Sequence, residues 1–219
     1  MKNYAIILAS GSSTRFGEKI PKQFLKIDGK TILERSIEAF EINENITDII
    51  LICHPDYIDL AREILNNKSK KLRIITAGGK TRQESSYTGV SLVNEDDANV
   101  LIHDCARPFV SQRIINECIL GLRKYDALGV GVNSTDTIVK IDENGFITEI
   151  PKRALLRRIQ TPQCFKANII KQAHEKAKND KNLVVTDDCG MVLHFNLAKI
   201  AIIQGDEENT KITYKSDLK

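Results

Sequence analysis

Short apolar runs alternate with amphipathic segments from Tyr4 to Val132, and this rhythm constrains the fold more than any other feature. Tyr4–Ala9, Ile49–Cys53, Leu72–Thr76, Val100–His103 and Ala127–Val132 are mostly apolar and of strand length, as parallel strands buried on both faces must be. Between them, Thr31–Ile42, Asp56–Leu65, Thr81–Val93 and Ser111–Tyr125 carry apolar residues at helical spacing. Thr31 and Glu34 have the spacing of a capping box, with Leu33, Ile37 and Phe40 on one face. Ile114, Ile115, Cys118, Ile119 and Leu122 form the same kind of stripe. Such alternation predicts an α/β fold: an open, mostly parallel, Rossmann-like sheet with helices on both faces.

The rhythm then breaks. Thr137–Ile150 alternates around Glu143-Asn144-Gly145, and Asn-Gly is a strong hairpin signal. A protruding β-arm is expected at about residues 134–156, inserted into a single domain spanning residues 1–219. Beyond it, Gln160-Thr161-Pro162-Gln163 reads as a rigid polar turn leading into a helix over Lys166–Lys178. Thr186–Phe195 reads as another helix, opened by Thr186, and Lys199–Ile203 as a late strand.

The five cysteines lie far apart with no C-x-x-C pair, which favours reduced thiols and a cytoplasmic location. The opening MKNYAIILAS is too short for a signal segment, and no run approaches the roughly 18 apolar residues of a membrane span. A formal charge of +3 suits an anion site but gives no argument for nucleic acid, and no membrane partner is expected.

In an open α/β sheet, ligands bind beyond the carboxyl ends of the strands. Four unusual segments stand there. Ser10-Gly11-Ser12-Ser13 and the residues up to Gly17 are small enough for backbone N–H groups to approach a polyphosphate, and Arg15 and Lys22 add positive charge. The loop matches neither G-x-G-x-x-G nor the P-loop; a dehydrogenase would need the first, so that class is disfavoured. Gly78 and Gly79 precede a helix start with Arg82 and Ser85, offering free N–H groups to a base, ribose or phosphate. Asp104 ends the fourth strand as a hard oxygen ligand suited to Mg2+, while His103 reads as a structural histidine. The fourth segment is Gln160–Gln163, preceded by Arg153, Arg157 and Arg158. Taken singly, each segment has a bland counterpart, a surface turn or a helix cap.

Together they form an ordered set. A-x-G-x-x-x-R-F-G followed by PKQFL, then GG-x-x-R-x-x-S, HD-x-ARP, TDTI, QTPQ-x-F, TDD and N-x-KIT span about Tyr4 to Leu218. The chain resembles the cytidylyltransferases, and within them the 2-C-methyl-D-erythritol 4-phosphate cytidylyltransferase family. The ribitol-5-phosphate cytidylyltransferases of wall and capsule synthesis share most blocks and are the runner-up. TDD at Thr186–Asp188 and the insertion-free stretch between Gly17 and Pro21 favour the first.

The resemblance implies CTP and a small polyol phosphate as substrates, Mg2+ as cofactor and a homodimer. It places Ser10, Gly11, Ser12 and Ser13 around the triphosphate, with Arg15 and Lys22 stabilising charge at the reacting α-phosphate. Gly78, Gly79, Arg82 and Ser85 would hold the cytidine. Asp104 would meet metal and acceptor, Arg153 would reach the neighbouring subunit's site, and Thr186 and Lys211 would contact the acceptor phosphate. Thr161 is a further candidate for reading an acceptor hydroxyl. Two departures stand out: serines at 10 and 13, where the family prefers Ala or Gly, and a short C-terminus. A nucleotide-binding regulator without catalysis is the rival class, and the intact Arg15, Lys22 and Asp104 set argues against it.

Overall fold

A computed structural model describes residues 1–12, 16, 20–180 and 183–217. The βα series expected from the sequence is present. Strand β1 (Asn3–Ala9) leads through a two-residue-per-strand hairpin, β2 (Lys26–Ile27) and β3 (Lys30–Thr31), into helix α1 (Ile32–Glu41). β4 (Asp48–Cys53), α2 (Ile58–Leu65), β5 (Leu72–Ala77), α3 (Arg82–Ser91), β6 (Asn99–Asp104), α4 (Gln112–Gly121) and β7 (Ala127–Asn133) follow. The capping box at Thr31 and Glu34 forms, and Thr81 with Glu84 builds a second one at the start of α3. The segment expected to be helical from Asp56 begins as a 3-10 turn, Pro55–Tyr57, before α2.

After β7 comes the arm: β8 (Lys140–Ile141) pairs antiparallel with β9 (Ile147–Glu149). Gly145, at φ +87°, turns the chain there, and the Asp142 carboxylate accepts the N–H groups of Asn144 and Phe146. Then β10 (Arg157–Lys166), α5 (Ala167–Asn179), α6 (Asp188–His194) and β11 (Ile200–Gln204) complete the chain's main elements.

Among the described residues, seven strands form one sheet in the order β11-β7-β10-β6-β1-β4-β5. All neighbours are parallel except β10, which runs antiparallel to both β6 and β7. Successive side chains of β1 divide between the two faces. Ala5, Ile7 and Ala9 pack with α1, α2 and α4; Tyr4, Ile6 and Leu8 pack with α3, α5 and α6. From β1 the chain moves outward through β4 and β5, then returns to β6 on the other side of β1. The order therefore reverses between β1 and β6, where an open α/β sheet leaves a crevice.

The expectation of a turn at Gln160–Gln163 is corrected: these residues lie inside β10, between two other strands. Proline lacks an N–H for the ladder and normally argues against a central strand. Here the pairing with β7 shifts register between Gln160 and Cys164, and Pro162 sits within that irregularity. A second correction concerns α6, which is capped not by Thr186 but by Asp187, whose carboxylate accepts the Gly190 N–H.

β10 also fixes the start of α6. Gln163 is 1% exposed; its carbonyl accepts the N–H groups of Asp188 and Cys189, each at 3.0 Å, and its amide donates to Asp187 at 2.7 Å. Unpaired helix-start donors buried here would each cost about 1–3 kcal/mol. Gln163→Leu is therefore expected to lower unfolding stability by at least about 2 kcal/mol, read as a lower urea midpoint at unchanged slope. A loss below about 0.5 kcal/mol would refute this role.

Candidate active site

A cavity of about 820 Å³ opens at the carboxyl ends of β1, β4, β5 and β6, across the crevice where the strand order reverses. Ser10, Gly11, Ser12 and Lys22 line it from the segment after β1, Gly78, Gly79 and Arg82 from the turn between β5 and α3 and the start of α3, and Asp104 and Lys211 from the end of β6 and the C-terminal segment. These nine are sequence candidates that the fold gathers into one place. Ser13 and Arg15 lie outside the described residues.

The glycine at 78 shapes the floor. A Cβ there would stand 2.6 Å from the Ser10 Cβ and 2.7 Å from the Ser85 hydroxyl oxygen. Its absence lets Ser10 donate to Ser85 at 2.8 Å, while Ser85 donates to the Thr81 carbonyl at 2.9 Å. Ser85 is fully buried, so it ties the β1 loop to α3. The serine at 10, a departure from the family pattern, thus has a bonded partner. It is not among the described non-glycine residues with positive φ, which are Asp28, Asn67 and Asn196, so it carries no left-handed strain.

Asp104 is the electrostatic centre. Its Oδ1 accepts from Arg82 Nε at 3.2 Å and its Oδ2 from Lys211 Nζ at 2.6 Å. Burial alone would raise the carboxyl, but the charges of Arg82 and Lys211 outweigh it and hold it well below the ordinary range. Arg82 also donates through Nη1 to Asp188 at 2.7 Å. Burial works against its charge, but the two carboxylates overcome it and push its affinity for the proton up.

Lys211 arrives on an anchored C-terminal segment. Arg107 donates to the Asn209 carbonyl at 2.7 Å, Ile212 N–H to the Ala106 carbonyl at 2.8 Å, and the Asn209 amide to the Thr161 carbonyl at 2.9 Å. The same segment meets Lys22, whose Nζ donates to the Ile212 carbonyl at 2.6 Å.

The remaining candidates lie off the cavity wall. Thr161 is buried; its hydroxyl accepts the Asp104 N–H and bonds His103 Nδ1. Thr186 is exposed just before α6, and Arg153 is exposed at the base of the arm, donating to the Thr135 carbonyl. His103, expected to be structural, is fully buried against Phe40, with Nε2 bonded to the Arg107 carbonyl at 3.0 Å. Burial lowers its pKa to about 4. Sequence reasoning passed over His54, Lys80 and Glu84, which line the cavity, and Asp188, which lies behind it. The last sits in the TDD block, but a pairing with Arg82 leaves no trace in spacing.

A magnesium ion was expected at Asp104. Among the described residues no three His, Cys, Asp or Glu groups gather as a metal-holding set. Asp104 and Glu84 are the carboxylates among the lining residues, and Glu84 is turned onto the Lys80 and Thr81 N–H groups. Asp104 is thus the carboxylate left to meet a metal, with Oδ1 and Oδ2 already bonded to Arg82 and Lys211; Mg2+ characteristically takes one or two carboxylates and completes its shell with substrate phosphates and water.

Comparison with known proteins agrees with the motif blocks. The family model for IspD, 2-C-methyl-D-erythritol 4-phosphate cytidylyltransferase, matches residues 4–219. A protein of that description from Clostridium perfringens (strain SM101 / Type A) is 42% identical over 218 residues, 99% of this chain and 96% of the relative. One from Thermobifida fusca (strain YX) is 38% identical over 222 residues, covering 98% and 89%. The crystal structure of 4-diphosphocytidyl-2C-methyl-D-erythritol synthase from Anaerococcus prevotii DSM 20548 superposes with a TM-score of 0.89 at 29% identity, covering 99% of this chain and 92% of that one.

Two buried histidines set a pH signature for stability. Burial holds His103 at a pKa of about 4, and burial, opposed by Asp188, does the same for His174. In the unfolded chain both would protonate near 6.5. Their contribution is therefore complete above that value and is lost as pH falls towards 4, because only the unfolded state takes up protons in this window. Asp104, with its lowered pKa, loses its contribution only at more acid pH. Urea unfolding between pH 7 and 5.5, above the range where unfolded glutamates take up protons, should show a slope approaching two protons, about 2.7 kcal/mol per pH unit. His174→Gln should reduce it to one. A flat profile would contradict the neutral buried state.

Proposed function

The chain belongs to the 2-C-methyl-D-erythritol 4-phosphate cytidylyltransferase family, and from that premise we infer that it transfers CMP from CTP to 2-C-methyl-D-erythritol 4-phosphate, releasing pyrophosphate for isoprenoid precursor synthesis. The observation that carries this reading is the cavity's charge. Among its lining residues, Lys22, Lys80, Arg82 and Lys211 stand against Glu84 and Asp104. An excess of cations in a sheltered cleft favours a polyanion such as a triphosphate. Relatives described by the methylerythritol acceptor match nearly the whole chain, which favours it over ribitol 5-phosphate.

The reaction asks little covalent chemistry of the protein. A phosphate monoester has its second pKa near 6, so the nucleophile is already mostly a dianion at neutral pH and no general base is assigned. The obstacle is the approach of that dianion to a triphosphate. Lys22, fixed by the Ile212 carbonyl at the cavity edge, supplies positive charge where equatorial oxygens gain negative charge. Arg15 is assigned the same task by its family position. The β1 loop, Gly78, Gly79 and Arg82 are assigned to CTP, Ser85 serving it from behind by holding the β1 loop through Ser10; Asp104 and Lys211 are assigned to the acceptor side. Asp104 would also hold Mg2+, which when bound supplies further charge neutralisation at the phosphates. Thr161 supports the acceptor wall by orienting Asp104 through its N–H.

The arm supports a homodimer. Residues 135–150 are exposed throughout, yet Ile141, Phe146, Ile147 and Ile150 are apolar and each more than 60% exposed. A solvated two-stranded hairpin is marginal alone, and an apolar strip on it marks a contact surface. Arg153 at its base and the exposed Thr186 are assigned to the acceptor, Arg153 reaching the partner's site. The buried free cysteines suit a cytoplasmic setting, and among the described residues no helix is long and apolar enough to cross a membrane.

Lys22→Ala should lower kcat about 10²–10³-fold while the CTP constant changes little, measured by pyrophosphate release with each acceptor. Unchanged turnover would overturn the role of Lys22. Greater efficiency with ribitol 5-phosphate would overturn the acceptor. Mixing Arg153→Ala subunits with Lys22→Ala subunits should restore one working site per mixed dimer. Absence of rescue would place Arg153 in its own subunit's site.

A further inference from the structure

Behind the cavity wall lies a buried polar network that no step assigned above uses. Asp188, the first residue of α6, has its side chain 2% exposed. Its Oδ2 accepts from Arg82 Nη1 at 2.7 Å. Its Oδ1 accepts the Ser86 hydroxyl, which in turn is 3.2 Å from Nε2 of His174. Its N–H is held by Gln163. These partners come from three elements: Arg82 and Ser86 from α3, His174 from α5 and Gln163 from β10.

Arg82 is thereby pinned at two corners, by Asp188 from behind and by Asp104 from the cavity. Its third nitrogen, Nη2, is buried without a hydrogen-bond partner among the described residues, so within them the two carboxylates define how the guanidinium lies. A planar fork held at two corners has one orientation, whereas one held at a single corner can rotate. Two carboxylates thus share two cations, Arg82 and Lys211, in a fixed order: Asp188, Arg82, Asp104, Lys211. Without the Asp188 charge, Arg82 would be free to turn both donors onto Asp104 and compete with Lys211, whose side chain is 40% exposed and the more easily displaced.

We propose that Asp188 is a positioning residue, which orients Arg82 and through it keeps the Asp104–Lys211 pair in the arrangement that receives the acceptor phosphate. The network behind it, Ser86 and His174, holds the carboxylate rather than the substrate. The inference rests on the CMP-transfer reading for its kinetic consequence only; its structural content stands apart from turnover.

The test compares wild type with Asp188→Asn and Ser86→Ala. In Asp188→Asn the KM for methylerythritol phosphate should rise about tenfold or more and the CTP KM, which Arg82 also serves, should rise with it; Ser86→Ala should raise both by a smaller factor. A merely structural role would lower the folded fraction and hence apparent kcat, leaving both KM values unchanged; that result would overturn the proposal. Side-chain NMR of arginine Nε–H groups in the ligand-free protein, with Arg82→Lys identifying the signal, gives a readout independent of activity. A protected Arg82 resonance in wild type that is lost or averaged in Asp188→Asn is expected, and an unchanged one contradicts the proposal. If Asp188→Asn does not fold, Ser86→Ala decides by the same two readouts. Should wild type turn over neither acceptor, the CMP-transfer reading fails while the NMR comparison still decides the positioning role.

Discussion

A buried carboxylate at the end of a central strand is the constraint around which this site is built. Asp104 closes β6 at the point where the sheet reverses its order, and its charge must be met from somewhere. It is met from two directions: Arg82 at the first turn of α3, and Lys211 on the C-terminal segment. Neither is near Asp104 in sequence, so the ion pairs tie three remote stretches together. Breaking a well-buried pair typically costs about 3–5 kcal/mol, because a charge is left uncompensated. The Arg82–Asp188 contact, with side chains 28% and 2% exposed, comes closest to that regime. The Lys211 side is wetter and screened. Exposed pairs such as Arg158–Glu207 contribute far less.

The antiparallel strand β10 holds the partners of this charge cluster in place. Gln160 binds the loop that leads to Lys211, donating to the Asp206 carbonyl and accepting from Asn209. Thr161 accepts the Asp104 N–H, and Gln163 holds the start of α6 with Asp187 and Asp188. Three polar side chains in four residues thus serve three walls of one site. Polar residues are buried in mid-sheet because each has its bonds satisfied by backbone that would otherwise be unpaired.

That arrangement marks where the sequence stops being informative. The parallel strands and the capped helices were legible because each follows from local rules: apolar runs, helical spacing, Thr-to-Glu capping distances. The glycine turn of the arm was legible for the same reason. β10 was not, since a polar tetrapeptide containing proline breaks every local rule for a central strand, and only pairing with β6 and β7 makes it one. The cavity residues at the strand ends were found from topology, because Ser10, Gly78 and Asp104 each follow or close a recognisable strand. The Arg82–Asp188 and Lys22–Ile212 contacts connect residues more than a hundred positions apart, and nothing in either segment announces the other.

What the site is built to do is join an acceptor phosphate to the α-phosphorus of CTP while pyrophosphate departs. Phosphorus NMR of the protein incubated with CTP, Mg2+ and 2-C-methyl-D-erythritol 4-phosphate observes that bond directly. The acceptor's monoester signal and the triphosphate signals should decline together, replaced by the coupled pair of a diphosphate diester and by free pyrophosphate. Persistence of the monoester while CTP is merely hydrolysed, or no change in either, would contradict it.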